Sequence, residues 1–220
     1  MAGKRSSQAS PPARSQPSGA LVVTHPVEVR LSVIVPCRNE ARFLPNQLSA
    51  LANQEYRGWW EVLVADDGST DGTREVAESF AARLPGLRVV GAGQRQGRSW
   101  ARNVGVEEAA GNAVVFVDAD DEVAPGYLSA IAAALIDHPF VACRLDCEAL
   151  NPEWVRPSRR SPQATGLQEW HLLPMAIGGS LGMRRDVFLA LGGFVKEMNY
   201  AEDVDLCWRA QLSGVPHLRA

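Results

Sequence analysis

Val114-Val115-Phe116-Val117-Asp118-Ala119-Asp120-Asp121 decides the fold reading of this chain. Four apolar residues run straight into an Asp-x-Asp. So short an apolar run, bounded by turn chemistry, is the pattern of a strand buried in a parallel sheet. In open α/β sheets, ligands bind outside the carboxyl ends of the strands. Two carboxylates one residue apart at that edge can share a hard cation, Mg²⁺ or Mn²⁺, with a substrate pyrophosphate. The same residues also suit a purely structural role. Asp after a strand caps the next helix and satisfies loose backbone N–H groups.

Outward from this segment, strand and helix patterns alternate. Leu31–Pro36 reads as a buried strand, followed by a helix from Asn39 or Glu40 to about Gln54, with Leu44, Leu48 and Leu51 at helical spacing. Glu61–Ala65 is a second strand and Thr73–Arg83 a helix. Leu87–Val90 is a third strand, and a helix over Arg98–Ala110 leads into the strand at 113–117. Pro125–Asp137 reads as a helix with proline in its first turn, and Phe140–Cys147 as a fifth strand. A short helix is expected near Arg185–Leu191 and a last one over Glu202–Ser213, stopped by Gly214. This alternation is that of βαβ units: an α/β fold with a mainly parallel central sheet, right-handed crossovers and flanking helices. Residues 148–170, with Pro152, Pro157 and Pro162, break the pattern. They read as a long irregular loop of the kind that forms functional lids.

At 220 residues the chain is long enough for one sizeable core. Hydrophobic residues at 46% and charged residues at 21% are ordinary for a globular protein. Net charge is −3. Setting aside residues 1–30, which hold four basic side chains and one acidic, leaves 18 basic and 24 acidic residues and a net −6. The only adjacent basic pairs beyond that point are Arg159-Arg160 and Arg184-Arg185, so no basic face for nucleic acid is expected.

No apolar stretch approaches the ~18 residues of a membrane span. Residues 1–28, rich in Ser, Pro, Gln and Ala, read as a disordered leader without the apolar core of a secretory signal, ahead of a domain at 29–220. Cys37, Cys143, Cys147 and Cys207 form no zinc set. On one strand, Cys143 and Cys147 would lie ~13 Å apart, too far for a disulfide. They read as buried free thiols of a reducing cytoplasm.

Four further motifs can carry chemistry. Pro36 ends the first strand's ladder, and Asn39 and Glu40 then either reach a ligand or start the helix. Asp66-Asp67-Gly68-Ser69-Thr70-Asp71-Gly72-Thr73 follows the second strand. An Asp there can accept the imide N–H of a uracil ring, while Thr70 or Asp71 can cap the next helix. Gly93 to Asn103 is a Gly- and Arg-rich lead-in to a helix, where backbone N–H groups and the helix dipole favour an anion. Arg98 and Arg102 share one face of that helix, but the Gly-Lys-Ser/Thr of a Walker loop is missing. Glu202-Asp203 and Asp205 either complement the dipole of the last helix or supply a general base for an attacking hydroxyl.

Taken in order, these motifs resemble the inverting nucleotide-sugar glycosyltransferases of family 2, which have the GT-A fold. The resemblance rests on Val35-Pro36-x-Arg38-Asn39-Glu40, Asp66 to Thr73, Gly97-Arg98-x-x-Ala101-Arg102-Asn103-x-Gly105, Asp118-Ala119-Asp120-Asp121, Gly192-Gly193-Phe194, and Glu202-Asp203-Val204-Asp205-Leu206-x-x-Arg209. It covers about residues 31–214. It implies a nucleobase and ribose pocket from Pro36, Asn39, Glu40 and Asp66 or Asp67. Arg98 or Arg102 would contact diphosphate or sugar. Asp118, Ala119 and Asp120 would meet the ribose and a Mn²⁺ or Mg²⁺ ion, with Asp120 the favoured metal ligand beside Asp118. Asp203 would be the catalytic base. Residues 148–182, with Trp170, His171 and Gly178-Gly179-Ser180, would shape the sugar and acceptor pocket.

The implied reaction is metal-dependent hexosyl-type transfer with inversion from a nucleotide-sugar donor, UDP-sugar favoured, to a hydroxyl of a glycan, lipid-linked or small-molecule acceptor. A cytoplasmic enzyme fits, peripheral to the inner face of a membrane if the acceptor is a lipid. Family members usually continue beyond the last helix, so a domain truncated at its C-terminus is expected, without the Gln-x-x-Arg-Trp acceptor motif. A sugar-phosphate nucleotidyltransferase would instead carry a Gly-rich basic loop where this chain has Cys37-Arg38-Asn39-Glu40. A non-catalytic nucleotide-sugar-binding relative would lack Asp118, Asp120 or Asp203, and all three are present.

Overall fold

The computed structural model describes residues 28–93, 97–154, 163, 166–169, 171–198 and 200–215. Strand β1 (Leu31–Cys37) is buried along its whole length, as a β-branched run covered by helices on both faces must be. It pairs in parallel with β2 (Trp60–Asp66) on one side and β4 (Ala113–Phe116) on the other, and β2 pairs in parallel with β3 (Arg88–Gly91). Beyond β4 lie β6 (Leu181–Arg184) and the edge strand β5 (Phe140–Ala142), giving the order β3-β2-β1-β4-β6-β5. Strand β6 runs against both neighbours and is the one reversed strand of a mainly parallel sheet.

Side-chain parity along each strand sorts the core into two layers. Leu31, Val33, Val35, Val62, Val64, Val115 and Val141 face helices α1 (Leu44–Ala52), α2 (Thr73–Ser79) and α4 (Tyr127–Asp137). Ile34, Leu63, Val114, Phe116 and Met183 face α3 (Arg98–Glu107), α5 (Arg185–Ala190) and α6 (Glu202–Leu212). The second layer centres on Phe116, Phe188 and Phe194, whose ring centroids lie 5.2 to 5.6 Å apart in tilted or edge-on contact, the geometry aromatic quadrupoles favour. Gly105 lets α3 approach β1: a Cβ there would stand 2.5 Å from Ile34 Cγ2.

The chain leaves β1 through α1 on the first face and enters β4 through α3 on the second. The sheet therefore has its topological switch point between β1 and β4, and the crevice there opens at their carboxyl ends.

Several sequence expectations shift. Strand β6 is not foreshadowed, because Gly182 and Arg184 interrupt the apolar run. Strand β5 stops at Ala142 and not Cys147: its partner begins at Leu181, preceded by a 3₁₀ turn over Gly178–Ser180, and after one last bond, from Cys143 N–H to the Ser180 carbonyl (2.8 Å), the turn carries the chain away. Cys143 and Cys147 lie past the strand, and all four cysteines are free thiols. Helix α1 begins at Leu44, later than Asn39 or Glu40, because Asn39 takes a left-handed conformation (φ 58°) and residues 41–43 form a turn. Helix α4 starts after the left-handed Gly126, which leaves Pro125 in the preceding turn. The leader lies outside the described residues save for Glu28. Among the described residues no helix is long and apolar enough to cross a membrane.

The basic pair Arg184-Arg185 turns inward. Arg184 is buried and donates to the carbonyls of Leu135 and Ile136 at the end of α4. Arg185 donates to those of Val106 and Glu107 at the end of α3. Each guanidinium satisfies terminal carbonyls that the helix leaves unpaired and complements the negative end of its dipole. At the amino end of the sheet, the buried Glu61 carboxylate accepts Ser32 Oγ–H (2.7 Å), Ala110 N–H (2.7 Å) and Arg88 Nη2–H (2.8 Å).

Candidate active site

Four chain segments meet around the switch point. The first follows β1. Backbone N–H groups of Asn39, Glu40 and Ala41 donate to Ser69 Oγ, Thr73 Oγ1 and Asp71 Oδ2, while Asn39 Oδ1 accepts Thr70 N–H. Neither Asn39 nor Glu40 caps α1 with its side chain. Their backbones knit this segment to the second one, the Asp66–Thr73 loop after β2. There Asp71 accepts both Thr73 N–H and Thr73 Oγ1–H, and these bonds hold its carboxyl below the usual range. Asp66 Oδ1 accepts Ser69 N–H at 3.0 Å across the turn that left-handed Gly68 permits. Asp67 Oδ2 accepts Gly97 N–H at 2.9 Å. Both Asp66 and Asp67 are nearly buried.

The third segment is the Asp-x-Asp after β4. Ala119 packs into the first core layer, Asp118 is half-buried and Asp120 is exposed. The buried Gln47 of α1 clamps both ends of the loop: its Nε2–H donates to the Asp118 carbonyl and its Oε1 accepts Val123 N–H. Glu40 stands opposite. Partial burial, then the charges of Asp120, Asp71 and Asp118, raise its carboxyl above the ordinary value. Carboxylates that follow three strands thus repel one another across the crevice, an arrangement that a divalent cation relieves.

The fourth segment joins the 3₁₀ turn to α6. Asp203, in the first turn of α6, accepts Gly178 N–H on Oδ2 (3.0 Å) and Val204 N–H on Oδ1 (2.8 Å). A Cβ on Gly179 would stand 2.6 Å from Asp118 Oδ2. Asp118 and Asp203 therefore flank two consecutive glycines. Arg209 secures α6 by pairing with Asp205 and donating to the carbonyls of Leu191 and Gly193. The Asn103 amide of α3 pairs with both backbone groups of Phe194.

The two arginines of the Gly- and Arg-rich segment part company. Arg98, at the start of α3, is exposed. Arg102 is 0% exposed and bridges Asp118 Oδ1 (2.7 Å) and Glu202 Oε1 (3.1 Å). Helical spacing puts both on one face, and the resemblance left open whether Arg98 or Arg102 meets diphosphate or sugar. Gln94–Gln96 and Trp170 lie outside the described residues. Pro36 sits in β1, opposite Ala65.

Three contributors had no local signal: Gln47, Glu202 as the partner of Arg102, and Gln163. The last accepts Ile177 N–H and donates to the Cys143 carbonyl and Ser180 Oγ, fixing the turn that carries Gly178. Their partners stand 14 to 100 residues away, too far for any pattern of spacing.

The sequence pattern described as "Glycosyl transferase family 2" matches residues 32–192. The chain belongs to that family. Among similar proteins, glycosyltransferase AglE of Haloferax volcanii is 40% identical over 91 residues, covering 41% of this chain and 30% of AglE. The poly(ribitol-phosphate) beta-N-acetylglucosaminyltransferase TarS of Staphylococcus aureus is 29% identical over 195 residues, 84% of this chain and 33% of TarS.

Two solved structures superpose well. TarS in complex with UDP-GlcNAc has a TM-score of 0.71 at 25% identity, over 86% of this chain and 55% of that one. The mannosyltransferase PcManGT of Pyrobaculum calidifontis, in complex with GDP-Man and Mn²⁺, has a TM-score of 0.65 at 26% identity, over 84% and 53%. The α/β sandwich described above is the GT-A fold. The chain spans about a third of the length of the curated relatives it matches.

Proposed function

We propose that this chain is a metal-dependent inverting glycosyltransferase that moves a sugar from a nucleoside-diphosphate sugar, a UDP-sugar first, to an acceptor hydroxyl. The observation that carries the reading is the pairing of Asp118 and Asp203 across Gly178-Gly179, which brings the metal-side and base-side carboxylates to one crevice.

The nucleobase and ribose lie against Pro36, Asn39, Glu40, Asp66 and Asp67, where a carboxylate can accept the uracil imide N–H. Arg98, exposed at the start of α3, meets the diphosphate. Among the described residues no three His, Cys, Asp or Glu side chains form a metal cage. The donor set is an exposed Asp120 beside a half-buried Asp118, which suits Mn²⁺ or Mg²⁺ completed by substrate oxygens. When bound, that ion neutralises charge on the departing diphosphate.

Asp203, its carboxylate oriented by the Gly178 and Val204 amides, accepts the proton of the acceptor hydroxyl. The hydroxyl oxygen forms its bond to the anomeric carbon as the carbon–oxygen bond to the diphosphate breaks. The nucleoside diphosphate carries away the electron pair, and the configuration inverts. UDP-GlcNAc in TarS and GDP-Man with Mn²⁺ in PcManGT support a nucleotide-sugar donor.

The test is thermal unfolding of the purified chain with UDP, GDP or dTDP, each with and without Mn²⁺, since a ligand of the native state raises the melting temperature. Stabilisation by UDP only when Mn²⁺ is present is the expected result. No shift with any nucleotide overturns the reading.

A further inference from the structure

Arg102 lies mid-way along α3 with its guanidinium fully withdrawn from water, 5.3 Å from the Phe194 ring centroid. Burying a charge is costly unless its pairs are well made, and its Nε finds no partner among the described residues. Apolar contacts already hold α3 to the sheet. The two partners instead come from elements far apart in the chain: Asp118 after β4 and Glu202 at the start of α6. Glu202 immediately precedes Asp203.

The two glycines of the 3₁₀ turn close on the two halves of one ion pair. A Cβ on Gly178 would stand 2.5 Å from Arg102 Nη1, and one on Gly179 would stand 2.6 Å from Asp118 Oδ2. Gly178 N–H in turn reaches Asp203. Two ion pairs, a hydrogen bond, a close approach and two peptide links together close a ring running Arg102, Asp118, Gly179, Gly178, Asp203, Glu202 and back to Arg102.

We propose that Arg102 is a positioning residue that sets the separation and orientation of Asp118 and Asp203 without touching donor or acceptor. This rests on the donor and base roles proposed above. The fork of an arginine spans two carboxylates at fixed geometry, whereas a lysine is a single point charge. Displacement of a reacting group by about 1 Å can slow a reaction on the order of 100-fold while leaving binding in place.

The experiment compares Arg102→Lys, Glu202→Gln and the wild type. Glu61→Gln, at the opposite end of the sheet, serves as a destabilised control. Mn²⁺-dependent UDP affinity is measured, with kcat and KM for hydrolysis of UDP-GlcNAc or GDP-mannose, whichever the wild type uses, and hydrogen exchange at the Gly178 amide. For Arg102→Lys the expected result is UDP affinity and KM within about threefold of wild type, kcat down roughly 10- to 100-fold, and faster Gly178 exchange. Glu202→Gln, which keeps the side chain's shape, should shift the same quantities in the same direction, and Glu61→Gln none of them.

Unchanged kcat in both site variants overturns the inference. So does a loss of UDP affinity as large as the loss of kcat, which would mean that Arg102 serves the nucleotide itself. Should Arg102→Lys not fold, Glu202→Gln decides by the same criteria. Should the wild type neither bind a nucleotide nor hydrolyse a donor, the glycosyltransferase reading fails, and Gly178 exchange alone decides the positioning claim.

Discussion

The Gln47 side chain donates to the Asp118 carbonyl at 2.9 Å and accepts the Val123 N–H at 3.0 Å, so one buried amide suspends both ends of the Asp-x-Asp loop from helix α1. Gln47→Leu removes both bonds and keeps most of the apolar packing. It should cost about 2 kcal/mol and weaken the Mn²⁺-dependent part of UDP binding more than the metal-free part. Calorimetric titration with and without Mn²⁺ measures the two; an equal loss in each would assign Gln47 to stability alone.

Asp120→Ala deletes an exposed carboxylate that no described hydrogen bond depends on. Stability should change by less than about 0.5 kcal/mol, while the extra thermal shift that Mn²⁺ gives to UDP disappears. If the Mn²⁺ increment persists, the ion is held elsewhere.

Asp203→Asn keeps the side chain's shape and one oxygen, so it can accept only one of the Gly178 and Val204 amides, and it removes the capacity to take a proton. Turnover should fall by roughly 10² to 10⁴ with nucleotide affinity nearly unchanged. A matching loss of affinity would make Asp203 a binding group and not the base.

Glu61 gives a pH signature remote from the crevice. Burial alone would raise its carboxyl, but the bonds from Ala110, Ser32 and Arg88 outweigh it and lower the value from the ordinary 4.5. A lowered native value means that the ionised form stabilises the fold above the unfolded pKa and that this contribution fades as pH falls through the native one. Glu61→Gln should therefore cost about 1–3 kcal/mol at neutral pH, and the gap in melting temperature from wild type should narrow below pH 4.5. A gap that stays constant into acid would exclude the ionised carboxylate as its source.

The sheet was legible in the sequence wherever strands run parallel and apolar. Val33–Val35, Val62–Val64 and Val114–Phe116 carry that pattern without interruption. Strand β6 escaped because Gly182, squeezed against Ile131, and Arg184, turned onto α4, look like loop residues until their neighbours are known. In the crevice, Glu40, Asp66, Asp67, Asp118 and Asp120 were visible because they end or follow strands, and Asp203 because it opens the last helix. The division of labour between Arg98 and Arg102 was not, since it depends on Glu202 arriving from 100 residues away.

Arg184 closes β6 and latches α4 on one face of the sheet; Arg185, the next residue, latches α3 on the other. Strand alternation aims Arg184 at α4, and Arg185, the first residue of α5, begins the helix that packs on the opposite face. The count of residues between the Gly178-Gly179 turn and this pair is therefore locked. Exchanging one side chain for another along 178–185 disturbs the contacts of that position alone, whereas inserting or deleting one residue flips the parity of the strand. The Arg184 guanidinium would then face the wrong helix, and the glycine pair would slide off the two carboxylates it separates. On this side of the crevice, the molecule depends on the reading frame of the segment as well as on its spelling.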